Sequence, residues 1–133
     1  MTSSSTDLRA TGQRVIRREA GALATLAEGL DENFAKAVTL LMAAKGRVIV
    51  SGMGKSGHIA RKIAATFAST GTPAHFVHPA EASHGDLGMV AEGDVLLILS
   101  NSGETPELAD ILAHAKRFGI PLSSPQLAYR PEI

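Results

Sequence analysis

Apolar and polar positions follow two different rhythms along this chain. From Asp7, the apolar residues Leu8, Val15, Ile16, Leu23, Leu26 and Leu30 recur at helical spacing. Gly12 and Gly21 weaken that helix, and Gly29 marks a break. Asp31 has the chemistry of an N-cap for a second helix carrying Phe34, Val38, Leu41 and Met42, with Gly46 fitting its stop. Two helices before any strand are expected to cover a sheet or to form a dimer surface. The rhythm then changes. Residues 47–51, with the β-branched run Val48-Ile-Val50, read as a strand. A helix follows, bearing Ile59, Ile63 and Phe67, with small Ala60, Ala64, Ala65 and Ala68 that let it lie close to a sheet, and Gly71 stops it. Pro73–His78 reads as a second strand, and 79–90 as a polar loop. Glu92-Gly-Asp94 is a turn.

Val95-Leu-Leu-Ile-Leu99 is apolar without alternation, the mark of a strand buried on both faces of a parallel sheet. Thr105 as N-cap, Pro106 at the first helical position and Glu107 in the first turn open a helix through Leu108, Ile111, Leu112 and Ala115 to Gly119. Ile120-Pro-Leu122 starts like another strand but gives way to Ser123-Ser-Pro-Gln126 and an irregular tail. The order α-α-β-α-β-loop-β-α predicts an α/β fold, three α-β-α layers around a parallel sheet, preceded by N-terminal helices.

Composition narrows the chemistry. The chain has 133 residues, enough for one domain, and 44% of them are apolar, enough for a core. Thirteen basic and thirteen acidic residues cancel, which argues against a general nucleic-acid or membrane surface. Aromatic residues make up only 4%, so base-stacking platforms are not expected. The absence of cysteine excludes disulfides, thiol catalysis and thiolate metal sites. The polar start, Met1–Asp7, is not a secretory signal, and residues 1–6 are expected to be frayed. A cytoplasmic protein follows as the default.

Three loops carry the chemistry. Strand, Gly52-Met-Gly-Lys-Ser-Gly57 and helix start is a geometry that offers backbone N–H groups and a positive helix end to a phosphate, with Lys55 as a mobile cation and Ser56 as a donor. The same glycines match the dinucleotide pattern G-x-G-x-x-G. That pattern calls for an acid at the end of the next strand, which here ends His78-Pro79, and the nearest acid is Glu81. Walker A fails because Ile49 stands where its first glycine belongs. In the second loop, Ser100, Asn101, Ser102 and Thr105 place three hydroxyls and an amide after a buried strand, at a helix start. Such donors hold a phosphate dianion, and they exceed what capping requires. Glu104 has no capping role and is a candidate proton shuttle. The third loop holds Glu81, His84 and Asp86, at a spacing that matches no zinc pattern, so no metal or cofactor is expected. His58 reads as stacking on its helix end, His75 as strand packing and His114 as a solvent-facing helix residue.

Five blocks occur in an order that resembles the sugar isomerase (SIS) domain of D-arabinose 5-phosphate isomerases of the KdsD/KpsF/GutQ type. They are Gly-Met-Gly-Lys-Ser-Gly-His58, Ala-Thr-Phe-Ala-Ser-Thr-Gly-Thr-Pro73, Phe-Val-His-Pro79, His-Gly-Asp-Leu-Gly-Met89 and Ser-Asn-Ser-Gly-Glu-Thr105, and the likeness spans roughly residues 7–122. The resemblance implies a five-stranded parallel sheet between helices, a homo-oligomer, usually a tetramer, and interconversion of D-ribulose 5-phosphate and D-arabinose 5-phosphate through an enediol, a step toward the Kdo sugar of lipopolysaccharide. It implies an active site with Lys55, Glu104 and His84, and phosphate binding by Ser56, Ser100, Asn101, Ser102 and Thr105. Family members continue past Leu122 with further strands, a later glutamate and a later histidine, and tandem CBS modules often follow. The expectation is therefore an incomplete SIS domain, residues 7–122, with about three of five strands, an atypical tail at 123–133, and turnover that needs residues absent here. Val95–Leu99 would become a sheet edge, making the monomer poorly stable. The competing readings are a non-catalytic sugar-phosphate-binding module and a dinucleotide-binding domain.

Overall fold

The computed structural model describes residues 5–101 and 105–123. Two compact units divide between Ala35 and Lys36. The first is dominated by helix α1 (Ser5–Glu28), in which Leu8, Val15, Ile16, Leu23 and Leu26 are exposed. Gly12 and Gly21 lie inside this helix without breaking it, and Gly29 closes it through its N–H to the Thr25 and Leu26 carbonyls. Helix α2 (Glu32–Met42) begins as the sequence predicts, with the Asp31 carboxylate accepting the Asn33 N–H at 2.9 Å. Gly46 is not its stop. The helix ends at Met42, and the Gly46 N–H instead reaches the Gly93 carbonyl at 2.7 Å.

The second unit holds a four-stranded parallel sheet in the order β2-β1-β3-β4. Its elements are β1 (Val48–Gly52), α3 (Gly54–Ser69), β2 (Ala74–Phe76), a short α4 (Pro79–Ser83), β3 (Val95–Leu99), α5 (Ala109–Arg117) and β4 (Leu122–Ser123). Alternation within the central strands divides the core. Val48, Val50 and Leu97 pack under α3 against Ala60 and Ala64, with Ile63 and Phe67 beside them. Ile49, Leu96 and Ile98 face the other way, against Leu108, Ile111 and Ala115 around α5 and against Ala82 of α4. All five residues of β1 are buried, as the unbroken β-branched run requires.

Two expectations are corrected. The sheet has four strands, not three, and β3 is interior. Leu96 and Leu97 pair with Leu122 and Ser123 of β4, and the Leu96 N–H reaches the Pro121 carbonyl at 2.9 Å. Two residues carry too little pattern to be read as a strand, yet they pair with Leu96 and Leu97 of β3. The polar stretch 79–90 is also more ordered than a loop. It folds into α4 and a 3-10 turn at Asp86–Met89. The cap of α4 is His78, whose Nδ1 accepts the Ala80 N–H at 3.2 Å. At the opposite end of the sheet, buried Asp94 accepts N–H bonds from Arg47 and Ala91 and meets the Arg47 guanidinium at 3.6 Å, which ties β1 to the turn before β3.

Candidate functional site

Strand order and helix placement create one natural crevice. The helix after β1 covers one face of the sheet, and the helix after β3 covers the other. These two strands are neighbours, with Gly52 paired to Leu99 at their last residues. The loops leaving them therefore part to opposite faces from the same level, which is the switch point where open α/β sheets bind ligands. Gly52–Gly57 leaves on one side, and Ser100 and Asn101 leave β3 toward the other.

The first wall depends on glycine. Gly54 sits at φ +56°, where a side chain would be strained. Gly57 is buried, and a Cβ there would lie 2.6 Å from the Gly52 carbonyl oxygen, so α3 meets β1 only because that atom is missing. The N-cap of α3 is Met53, which makes no side-chain capping bond and leaves the opening turn to an outside acceptor. Lys55 is exposed and Ser56 half-buried on that turn. On the second wall, the half-buried hydroxyls of Ser100 and Thr105 stand 3.3 Å apart, while Asn101 is exposed. Thr105 occupies the N-cap position before Pro106–Leu108, but its hydroxyl makes no capping bond and turns to Ser100, contrary to the capping role expected for it. Ser102 and Glu104 lie outside the described residues.

His84 is exposed at the C-terminal end of α4, its backbone N–H bonded to the Glu81 carbonyl at 3.0 Å. Helix α4 packs beside Pro106–Leu108, so the third loop approaches the second wall. Among the described residues, no three His, Asp or Glu side chains are placed to hold a metal ion.

Three histidine readings change. His114 is half-buried, its Nε2 lies 3.1 Å from the Val90 carbonyl, and its ring lies tilted at 44° to that of Phe118, with centroids 4.6 Å apart. His75 is exposed on the edge strand β2 rather than packed. His58 lines a cavity of about 200 Å³ on the β2 side of the glycine turn, together with Gly52, Gly54, Gly57, Arg61, Phe76 and His78. Sequence reasoning missed Arg61 and His78, because what joins them is the alignment of α3 over β2.

The chain matches the SIS domain family over residues 40–124. It is 55% identical over 122 residues to arabinose 5-phosphate isomerase KdsD of Pseudomonas aeruginosa, covering 92% of this chain and 37% of that protein. The protein of the same name from Escherichia coli K12 is 51% identical over 116 residues, covering 87% of this chain and 35% of that protein. The chain thus spans about a third of the length of the curated relatives it matches. Among solved structures, E. coli CFT073 c3406 in complex with arabinose 5-phosphate superposes with a TM-score of 0.85 at 46% identity, covering 92% of this chain and 65% of that one. No helix among the described residues is long and apolar enough to cross a membrane.

Proposed function

The chain belongs to the SIS domain family, and on that premise we propose that it binds a pentose 5-phosphate in the crevice between β1 and β3 and serves the isomerisation of D-arabinose 5-phosphate and D-ribulose 5-phosphate. The observation that carries this is the pairing of Gly52 with Leu99, which starts the segments bearing Lys55, Ser56, Ser100 and Asn101 at one level. The kinship with proteins named arabinose 5-phosphate isomerase supports the choice of sugar.

The phosphate would be held by Ser56, Ser100, Asn101, Ser102 and Thr105. Hydroxyls and helix-start N–H groups match its oxygens without burying a full countercharge. Isomerisation moves one proton between neighbouring carbons through an enediol. It needs a base for the carbon acid and a donor for the oxygen that gains charge. Glu104 takes the first role in this proposal. Lys55, exposed on the turn, either polarises the carbonyl or binds the phosphate, and His84 is the third active-site residue of this proposal. A cytoplasmic homo-oligomer acting on a free sugar phosphate, and a place in Kdo supply, complete the proposal. The exposed apolar residues of α1 support the oligomer.

Substitution of the second wall tests phosphate recognition. Ser100→Ala and Thr105→Val should each weaken D-arabinose 5-phosphate binding roughly tenfold, the size expected for losing one charge-assisted hydrogen bond. Calorimetric titration reads the loss. Unchanged affinity in both variants would move the phosphate elsewhere.

A further inference from the structure

We propose that His114 is a positioning residue for His84, acting through the Val90 carbonyl on the segment that carries it; this rests on the role given to His84 under the proposed function. The segment leaves the core at Ala82 and returns to it at Val90, both buried in one apolar cluster with Leu108, Ile111 and Ala115. Between them Ser83–Asp86, Gly88 and Met89 are exposed, and Leu87 packs back against the cluster. His84 therefore sits on an excursion whose direction is set at its two ends. The first end is held by helix α4, where the Ala82 N–H reaches the His78 carbonyl at 2.9 Å. At the second end, Val90 and Ala91 belong to no helix or strand. Side chains hold it instead. Arg47 donates from Nη2 to the Met89 carbonyl at 2.8 Å. His114 of α5 meets the Val90 carbonyl at 3.1 Å. Asp94 accepts the Ala91 N–H at 3.0 Å.

A carbonyl only accepts, so the His114 ring carries its proton on Nε2 and donates it to Val90. Val90 is 4% exposed, and a buried carbonyl that loses its donor is costly because water does not replace it. The ring is braced by Phe118, one helical turn further on. The hold passes back toward His84 through short-range backbone bonds. The Val90 N–H reaches the Leu87 carbonyl at 3.0 Å, the Gly88 N–H reaches Gly85 at 3.4 Å and the Gly85 N–H reaches Ala82 at 3.2 Å. Gly85 turns the chain directly after His84 at φ +132°, a conformation that favours glycine. Helix α4 also packs on α5, the helix that carries His114. Releasing Val90 thus frees the far end of the excursion and lets His84 change direction, while the glycine turn and Ser100 stay where the sheet puts them.

Two substitutions in the full chain test this. His114→Leu keeps bulk and removes the donor, whereas His114→Gln keeps an N–H donor on a side chain of similar reach. In the free chain, amide hydrogen exchange at Gly85 and Val90 should quicken roughly tenfold or more in His114→Leu and return in His114→Gln. Exchange at Val48 and Val77, whose amides bond to Pro73 and Val50 across the sheet, should not change. On titration with D-arabinose 5-phosphate, the Ser100 amide and the His84 ring proton on Cε1 should saturate together in the unsubstituted chain. In His114→Leu the Ser100 curve should keep its midpoint while the His84 shift shrinks, and His114→Gln should restore that shift. A purely structural role would quicken exchange at Val48 and Val77 too and leave the His84 shift intact. That result, unchanged exchange at Val90 in His114→Leu, or a glutamine variant that behaves like leucine overturns the proposal. No Ser100 response in the unsubstituted chain would instead overturn the pentose-phosphate reading, and the exchange rates would still decide whether His114 holds the segment of His84.

Discussion

Gly57→Ala should destabilise the protein and empty the crevice together. The added Cβ would fall 2.6 Å from the Gly52 carbonyl oxygen and 3.3 Å from its carbon. Both are backbone atoms, so no side chain can swing aside, and α3 must lift from β1. Overpacking of this kind costs about 1–3 kcal/mol. Alanine gains about 1 kcal/mol over glycine in a helix interior, which works in the opposite direction. The overlap should win, because lifting α3 also loosens Ala60 and Ala64 from Val48, Val50 and Leu97. Chemical denaturation reads the loss. The matched control is Gly12→Ala in α1, where a Cβ meets nothing within 4 Å. There the same substitution should stabilise. Equal effects at the two positions would show that helix propensity, not the contact with β1, governs Gly57.

Glu104→Gln should separate chemistry from binding. If Glu104 moves the proton, the amide keeps the size of the side chain and removes the base. Exchange of the carbon-bound proton of the sugar phosphate should then slow about 10²- to 10⁴-fold. Affinity for D-arabinose 5-phosphate should stay close to that of the unsubstituted protein, because the phosphate donors remain. Deuterium uptake from D₂O into the sugar phosphate reads the proton step without requiring net turnover, and calorimetry reads the binding. Ser102→Ala or Thr105→Val should show the reverse, with binding lost first. Loss of binding in Glu104→Gln alone would remove that residue from the chemistry.

The sequence is most legible where one physical demand dominates a stretch. Val48-Ile-Val50 and Val95–Leu99 have no polar alternation because both faces of their sheet are covered, and the structure buries them so. Asp31 and Pro106 fall at helix starts as their chemistry dictates. Devices that depend on tertiary partners escape such a reading. Helix α4 is five residues long and capped by an imidazole, a weaker signal than Ser or Asp. Strand β4 is two residues that pair with β3. Thr105 reads as a cap because of Pro106 after it, yet its hydroxyl finds Ser100 across the loop. His114 reads as a surface residue because its spacing says nothing of the Val90 carbonyl 24 positions earlier. The candidate site divides in the same way. Lys55, Ser56, Ser100 and Thr105 are legible as donors on two turns, and β1–β3 pairing places those turns at one level. The grouping of Arg61, Phe76 and His78 comes from the fold alone.

The central claim is that the crevice between β1 and β3 takes a pentose phosphate. Mapping amide shifts of the chain on titration with D-arabinose 5-phosphate tests it most directly. The expected result is saturable movement at Lys55, Ser56, Ser100, Asn101 and Thr105, shifted to roughly tenfold higher ligand concentration in Ser100→Ala and not reproduced by NAD. Shifts confined to Phe76, Val77 and His78, or none at Ser100 and Thr105, would contradict it.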